Sequence, residues 1–199
     1  MTAVVYARSH VETVLVQTVP VPCYRIIPRR YLTMALGTAP GDSRFCAKAD
    51  SYTVLYAAPD FATAFIETIV RDRFTRKRQR EVVFKEVTER AWVLIGTKQQ
   101  SPLNFLDLRR DGCVRLGAPS DAVNARNHAA GRALGRAIHA EHADIDGLLF
   151  SSRLTGADVY AVFDRALNQL DAMDSGLLAE HPELPGVLSQ YGIRLLVSD

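Results

Sequence analysis

Short apolar segments rich in β-branched residues recur along the whole chain, and this pattern constrains the fold more than any other feature. Clear examples lie at 53–58 (TVLYAA), 90–95 (RAWVLI), 103–108 (LNFLDL) and 159–163 (VYAVF). Runs of this length and composition predict β-strands. Helical patterns lie between them, but without the regular strand–helix alternation of a parallel α/β sheet. The sequence therefore predicts an α+β fold with a mixed or antiparallel sheet flanked by helices.

The same pattern predicts five further strands. They lie at 12–19 (ETVLVQTV), 23–27 (CYRII), 81–87 (EVVFKEV), 147–152 (GLLFSS) and 193–197 (IRLLV). A loop region is predicted over 29–45, where a Pro-Gly pair marks a turn.

Two helices are predicted between the strands. One spans about 61–74, and the other spans about 121–142 with Asp121 as its predicted N-cap. Gly131 and Gly135 lie one helical turn apart in the second helix. Because glycine has no Cβ, this spacing predicts that another stretch of backbone approaches the helix closely.

The composition is that of an ordinary soluble protein of one domain. The 199 residues are 48% hydrophobic and 23% charged, and the net charge is only +2. A charge this small provides no global field for nucleic acid or an anionic membrane. Cys23, Cys46 and Cys113 form no CxxC pair, which excludes a zinc ribbon and a dithiol redox motif and favours reduced thiols.

The N-terminal segment does not have the character of a secretion signal. Arg8, His10 and Glu12 interrupt its apolar stretch. No apolar run approaches the length needed to span a membrane. We therefore expect a cytoplasmic protein that binds neither nucleic acid nor a membrane directly.

Three charged residues stand in settings that point to an anionic or cationic partner. Glu67 falls at the edge of the apolar arc of the first helix, where the structural alternative is an ion pair with Arg71 at i+4. Arg25 interrupts an apolar strand, so it either faces solvent or directs its guanidinium at a phosphate or carboxylate. Arg44 follows a Pro-Gly turn, in a loop that is either a simple turn or a nest of N–H groups for an anion.

Two residues with hydroxyl groups lie on predicted strands. Tyr56 is either a core residue with its hydroxyl satisfied at the sheet edge or a ring that stacks on a ligand. The strand within 146–153 (DGLLFSSR) ends in polar groups, which suggests a phosphate-bearing ligand at that point. Alternation puts Ser152 on the same strand face as Leu148 and Phe150.

Two further polar patterns favour less specific interpretations. Segment 71–80 (RDRFTRKRQR) contains six basic residues, but Asp72 dilutes the charge and Phe74 is the one aromatic residue. A solvated helix end or a contact for an acidic partner is therefore favoured over nucleic acid. His139 and His142 lack a third ligand and the HExxH spacing, so no metal site is predicted.

Taken together, the motifs resemble the RES domain family, which is named for an arginine, a glutamate and a serine. In this chain they occur in the family's order as YRI with Arg25, GDSRF with Arg44, VLYAA followed by ATAFIE with Glu67, and DGLLFSSR with Ser152. Each motif is short, and their joint order makes the resemblance specific.

The resemblance covers most of the chain. It implies a single RES-type domain over 1–199, with a core at about 24–166. The N-terminal strand extension (1–23) and a C-terminal segment (167–199) lie outside that core.

The resemblance implies an ADP-ribosyltransferase-like fold and action on NAD. Family members are toxins that cleave the nicotinamide–ribose bond of NAD by hydrolysis or phosphorolysis, or that ADP-ribosylate a protein. The implied activity is that of an NAD glycohydrolase or NAD phosphorylase, with NAD as substrate, inorganic phosphate as a candidate co-substrate and no metal. The implied catalytic residues are Glu67, Arg25 and Tyr56, and the implied NAD-binding residues are Arg44, Ser152 and Phe45.

The resemblance also implies partners and leaves alternatives open. Relatives are commonly neutralised by a helix-turn-helix (Xre-type) antitoxin, and dimerisation is common among them. The family's loop is typically Gly-Gly-Arg, an aromatic residue and Asn, whereas this chain has DSRFC at Asp42–Cys46. The open alternatives are a protein ADP-ribosyltransferase and a catalytically inactive RES-fold interaction protein.

Overall fold

The structure is a computed structural model that describes residues 5–197. Its strands are Leu15–Thr18 (β1), Cys23–Pro28 (β2), Val54–Ala57 (β3), Glu81–Val83 (β4), Arg90–Thr97 (β5), Leu103–Asp107 (β6), Gly147–Ser151 (β7), Asp158–Phe163 (β8), Leu170–Leu177 (β9) and Arg194–Leu196 (β10). Its α-helices are Arg8–Val14 (α1), Phe61–Phe65 (α2), Phe84–Thr88 (α3), Gly112–Leu116 (α4), Asp121–Asn124 (α5), Ala129–Glu141 (α6) and Leu184–Gln190 (α7). A π-helical turn covers Ile66–Val70, and 3-10 helices cover Arg29–Met34, Lys98–Gln100, Asp164–Gln169 and Leu178–Glu180. None of the helices in this part of the chain is both long and apolar enough to cross a membrane.

The described chain divides into two compact units, each assembled from separate segments. The first unit contains 5–20, Leu36–Tyr56 and Thr97–Asp171, and the second contains Val21–Ala35, Ala57–Gly96 and 172–197.

The first unit is built on a five-stranded sheet with the strand order β1-β6-β7-β8-β3. Strands β6 and β7 are parallel, with Leu106 opposite Leu148, whereas β1 and β8 pair antiparallel with β6 and β7 respectively. Leu148 and Phe150, on one face of β7, pack in a buried core that also contains Phe45 and Leu134 of α6. A mixed sheet flanked by helices confirms the predicted α+β class.

The second unit contains a three-stranded sheet of order β2-β5-β9 and a two-stranded ribbon of β4 and β10. Strands β2 and β5 pair antiparallel, with Arg25 opposite Val93. Strands β4 and β10 are parallel, with Val82 opposite Leu195.

The predicted strand at 12–19 is wrong in its first part. Strand β1 begins only at Leu15, and the residues before it form helix α1. Val11 and Val14 are both buried and lie three residues apart, so one face of the helix packs in the core. Burial of that face outweighs the β-propensity of valine. Residues 1–4 of the predicted extension lie outside the described residues.

Two other predicted elements change their type or length. The segment 81–87 is a strand only in β4 and continues as α3, which buries Val87 and ties Glu86 to Arg73 by two hydrogen bonds of 2.7 and 2.6 Å. The helix predicted over 121–142 is two helices, α5 and α6, and Asp121 is the first residue of α5 rather than its cap.

Strand β9 was not predicted at all. Most of its residues are exposed, in the order LDAMDSGL, so the segment has no alternating apolar pattern. A strand of this kind is recognisable only from its neighbours in the sheet, because its own sequence resembles a polar loop.

Candidate active site

The loop Asp42–Cys46 of the first unit is held to strand β3 by a chain of hydrogen bonds. The backbone N–H of Phe45 donates to Tyr56 Oη at 3.0 Å, and Tyr56 Oη lies 3.0 Å from Ser43 Oγ. Ser43 Oγ donates to the carbonyl oxygen of Cys46 at 3.3 Å. Because a serine hydroxyl has one hydrogen, Tyr56 is the donor to Ser43. The loop is therefore closed on itself through the tyrosine hydroxyl.

Tyr56 supports this loop with its hydroxyl. Burial raises the pKa of Tyr56 to about 12, so the phenol is neutral and remains a donor at physiological pH. This geometry matches the expectation of a core tyrosine with a satisfied hydroxyl. A contact between its ring and NAD stays a prediction.

Replacing Tyr56 with phenylalanine is expected to lower the free energy of unfolding by about 1–3 kcal/mol, because the partly buried N–H of Phe45 loses its acceptor. Urea unfolding measures this change. Tyr31→Phe is the matched control, since Tyr31 is 41% exposed in a 3-10 helix. Equal stability of the two variants would show that the Tyr56 hydroxyl does not hold the loop.

Arg44 is presented by the same loop. Its Nη1 donates to the carbonyl oxygen of Ala125 at 3.0 Å, and its guanidinium carbon lies 6.0 Å from the centre of the Phe150 ring. Ala125 has an extended backbone and lies in the break between α5 and α6. The break in the predicted helix therefore supplies an acceptor that orients the guanidinium.

Helix α6 lies against the backbone of this loop. A Cβ atom at Gly131 would overlap the carbonyl oxygen of Arg44, and a Cβ atom at Gly135 would overlap the carbonyl oxygen of Phe45. The same carbonyl of Phe45 accepts a hydrogen bond from the hydroxyl of Tyr52. The prediction that the two glycines allow a close backbone approach is confirmed.

Phe45 was predicted to bind NAD, and the structure places its ring in the core. The residue has no exposed surface, and its ring packs edge-to-face on Phe150 at 5.1 Å between centroids. The enclosed ring anchors the loop that carries Arg44. Binding of NAD by Phe45 stays a prediction.

Ser152 shapes the turn that joins β7 to β8. Its hydroxyl oxygen accepts hydrogen bonds from the backbone N–H groups of Leu154 and Thr155, both at 3.1 Å, and the residue is only 3% exposed. The backbone N–H of Ser152 donates to the carbonyl of Ala157 at 2.7 Å. The hydroxyl oxygen therefore already accepts two hydrogen bonds, and a contact from Ser152 to a phosphate or ribose stays a prediction.

Arg25 is a partly buried cation on strand β2. Its Nη1 donates to the carbonyl oxygen of Ala35 at 2.8 Å. Burial lowers the pKa of Arg25 to about 10, so the side chain remains charged near neutral pH. A cation in a poorly solvated setting interacts more strongly with an anion than a cation in bulk water does.

The helix predicted over 61–74 ends earlier than expected. It begins where the side chain of Asp60 accepts a hydrogen bond from the N–H of Thr63 at 2.7 Å. After α2, the π-helical turn is closed by a 2.7 Å hydrogen bond from the N–H of Arg71 to the carbonyl of Ile66. Arg71 has a φ of 49°, a left-handed conformation that stops the helix.

Glu67 lies in this π-helical turn and is half-buried. Single π-helical turns occur frequently at functional sites, because the extra residue redirects side chains out of the regular helical stripe. The Nε of Arg71 donates to the backbone carbonyl of Glu67 at 3.1 Å. This hydrogen bond between residues i and i+4 therefore uses the main chain of Glu67.

Strand β2 and helix α2 are linked within the second unit. Tyr24 and Ala58 exchange two backbone hydrogen bonds of 2.6 and 2.9 Å, and the ring of Tyr24 packs edge-to-face on Phe61 at 5.8 Å. The strand that carries Arg25 therefore lies beside the helix that leads to Glu67.

The predicted site residues fall into one set in each unit. The first unit contains Arg44, Phe45, Tyr56 and Ser152, and the second contains Arg25 and Glu67. Sequence reasoning missed Ser43 and Ala125, which hold the Arg44 loop. A serine in a Pro-Gly loop is a weak signal for such a role, and a backbone carbonyl gives no signal at all.

Comparisons with known proteins identify the family of this chain. The family model described as "RES domain" matches residues 22–184. A protein of Sinorhizobium fredii (strain NBRC 101917 / NGR234), named "Probable toxin y4kH", is 36% identical over 96 residues, which cover 48% of this chain and 76% of that protein. A chain from the crystal structure of the M. tuberculosis MbcT–MbcA toxin–antitoxin complex matches with a TM-score of 0.63 at 16% identity. That match covers 84% of this chain and 88% of the other, and it indicates a shared fold.

The matched region contains all six predicted site residues, and the family model extends over most of the chain. This chain belongs to the RES domain family.

Proposed function

We propose that this chain is an NAD-cleaving toxin of a toxin–antitoxin pair, which breaks the bond between nicotinamide and ribose. The observation that carries the proposal is the family match over residues 22–184, which spans every residue of the candidate site. The RES family consists generally of NAD-processing toxins, and the similar S. fredii protein is itself named a probable toxin.

The chemistry requires stabilisation of a positively charged sugar. When the bond from C1 of the ribose to the nicotinamide nitrogen breaks, its electron pair leaves with the ring, which becomes neutral nicotinamide. The ribose acquires oxocarbenium character, and a nearby carboxylate stabilises that charge. We assign this role to Glu67, whose position in a π-helical turn departs from the regular helical stripe.

Arg25 and Arg44 are each proposed to bind phosphate oxygens of NAD. Arg44 is oriented by the Ala125 carbonyl, and Arg25 is oriented by the Ala35 carbonyl. Guanidinium groups form strong charge-assisted hydrogen bonds with phosphate oxygens. The poorly solvated setting of Arg25 strengthens its interaction with an anion.

Tyr56 and Ser152 are proposed to act mainly through the backbone that they hold. Tyr56 closes the loop that presents Arg44, and Ser152 caps the turn after β7. Holding a binding group in its productive position removes part of the entropy cost of reaching the transition state.

The acceptor of the ADP-ribosyl group is either water or phosphate. With water, an oxygen lone pair attacks the ribose carbon and one proton is released, which yields ADP-ribose. With inorganic phosphate, a phosphate oxygen attacks the same carbon and yields the 1-phosphate of ADP-ribose. Both routes release one nicotinamide for each NAD consumed.

Product analysis tests the proposal. The full chain is incubated with NAD, with and without phosphate, and the products are separated and identified by mass. We expect one nicotinamide for each NAD lost, with ADP-ribose or its 1-phosphate as the second product. Recovery of ADP-ribose attached to protein would instead favour a protein ADP-ribosyltransferase, and intact NAD would favour an inactive interaction protein.

An antitoxin partner of the helix-turn-helix type is part of the proposal. Its support is that the structural neighbour from M. tuberculosis belongs to a toxin–antitoxin complex. Expression of this chain alone should arrest growth, and Glu67→Gln should relieve the arrest. Normal growth during expression of the folded wild-type chain would contradict a toxin role.

A further inference from the structure

The basic segment 71–80 borders a groove in the second unit that the proposed NAD chemistry does not use. The groove has a volume of about 830 Å³ and is lined by Phe74, Lys77, Arg78, Gln79, Glu81 and Leu196. Its residues come from the segment that follows the π-helical turn and from the ribbon of β4 and β10. A volume of this size is within the range of about 300–1,000 Å³ that is common for ligand sites.

The basic residues around the groove differ in how their charges are balanced. Arg73 pairs with Glu86, and Arg194 pairs with Glu81 at 2.7 Å. Arg80 donates to the backbone carbonyl of Tyr191 at 2.9 Å.

Uncompensated positive charge remains at one side of the groove. Arg76, Lys77 and Arg78 are exposed, and none of them forms an ion pair within the part of the chain that the structure describes. The single acidic residue of the lining, Glu81, is already paired with Arg194. The groove therefore attracts negative charge.

Apolar surface accompanies this charge. Leu196 is 40% exposed and Val197 is 77% exposed, and Phe74 is half-buried in the groove lining. An exposed apolar surface rimmed by charge is a common mark of an interaction site.

The ribbon offers a backbone edge as well as side chains. Strands β4 and β10 have only each other as sheet neighbours among residues 5–197. The open edge of a strand can pair with an extended segment of another protein, which then places alternate side chains on the same face. Such a segment could present carboxylates and apolar groups in turn.

We propose that this groove binds an extended acidic segment of a partner protein. Its carboxylates would pair with Lys77 and Arg78, and an apolar side chain would pack between Phe74 and Leu196. Nucleic acid fits less well, because non-specific single-strand sites use several stacking aromatic rings and the groove lining includes one, Phe74.

Peptide binding to the full chain tests the proposal. The probe is a fluorescein-labelled octapeptide that alternates glutamate and leucine, and the comparison peptide alternates lysine and leucine. Fluorescence anisotropy gives the dissociation constant at low and high salt. We expect the acidic peptide to bind, the basic peptide not to bind, and the affinity to fall as salt screens the charges.

Three variants locate the binding surface. Lys77→Glu combined with Arg78→Glu should weaken binding of the acidic peptide by about tenfold or more, because attraction becomes repulsion. Leu196→Ser should weaken it separately, by loss of the apolar contact. Arg115→Glu is the matched control, since Arg115 is an exposed arginine of α4 in the first unit and its reversal should leave the affinity unchanged.

Several results would overturn the proposal. One is equal affinity of the charge-reversed chain and the wild type for the acidic peptide. Another is binding of a single-stranded RNA oligonucleotide that requires Lys77 and Arg78, without binding of the peptide. A third is a dimer of this chain that the double variant disrupts, again without binding of the peptide. None of these measurements depends on NAD cleavage, so the proposed function and this docking site can fail independently.

Discussion

Replacing Glu67 with glutamine is expected to lower the kcat of nicotinamide release by about 100-fold or more, because the transition state loses a preorganised charge. Glutamine keeps the size and shape of the side chain, and the hydrogen bond from Arg71 to the Glu67 carbonyl involves the backbone. A melting curve of the variant checks that the chain remains folded, so that a loss of kcat can be assigned to the missing charge. KM for NAD should change less than kcat, since the positive charge on the ribose develops only in the transition state.

A second glutamate provides the control for this substitution. Glu141 is exposed at the end of α6, and Glu141→Gln changes the net charge by the same amount. We expect the control variant to release nicotinamide at the wild-type rate. A Glu67→Gln enzyme with wild-type kcat would remove Glu67 from the proposed chemistry.

Replacing Gly135 with alanine is expected to lower the free energy of unfolding by about 1–3 kcal/mol, the usual cost of overpacking a well-packed site. The added methyl group would overlap the carbonyl oxygen of Phe45 and lie 2.8 Å from the hydroxyl oxygen of Tyr52. The Arg44 loop has to move away from α6 to relieve this overlap. KM for NAD should therefore rise together with the loss of stability.

Gly186 gives the matched control for Gly135. It lies in helix α7, and a Cβ atom there would have no neighbour within 4 Å. Gly186→Ala should leave stability unchanged or increase it by about 0.4–1 kcal/mol, because alanine restricts the unfolded chain and favours the helix. Urea unfolding measures the free energy of unfolding of both variants and so shows which substitution destabilises the chain. A Gly135→Ala chain as stable as the wild type would contradict the close approach of α6 to the loop.

The strands with continuous apolar runs were predictable because local pattern was enough to identify them. Strands β3, β6 and β7 lie within segments that the sequence indicated, and β2, β5 and β8 extend one or two residues beyond theirs. Helices α1 and α3 were not predictable in the same way, because their β-branched residues prefer strands and only tertiary burial of Val11, Val14 and Val87 makes them helical. Strand β9 is mostly exposed, and its sequence has no alternating apolar pattern that would predict a strand.

The residues of the candidate site were predictable from motif order. The groups that form hydrogen bonds with these residues and hold them in place were not. Arg44 was identified from its place after a Pro-Gly turn. Its guanidinium, however, donates a hydrogen bond to the backbone carbonyl of Ala125, which lies 81 positions away in the sequence. Tyr56 was identified as a tyrosine on a predicted strand. Its hydrogen bond with Ser43 forms only because the loop folds back onto the strand, 13 positions along the chain. Contacts between distant segments arise from the fold, so a single sequence does not reveal them.

The rate at which the purified chain releases nicotinamide from NAD tests the central claim most directly. The account predicts that each folded chain releases many nicotinamide molecules, at a rate proportional to protein concentration and about 100-fold or more lower in the Glu67→Gln variant. A folded full-length chain that leaves saturating NAD intact, both with and without phosphate, would contradict it.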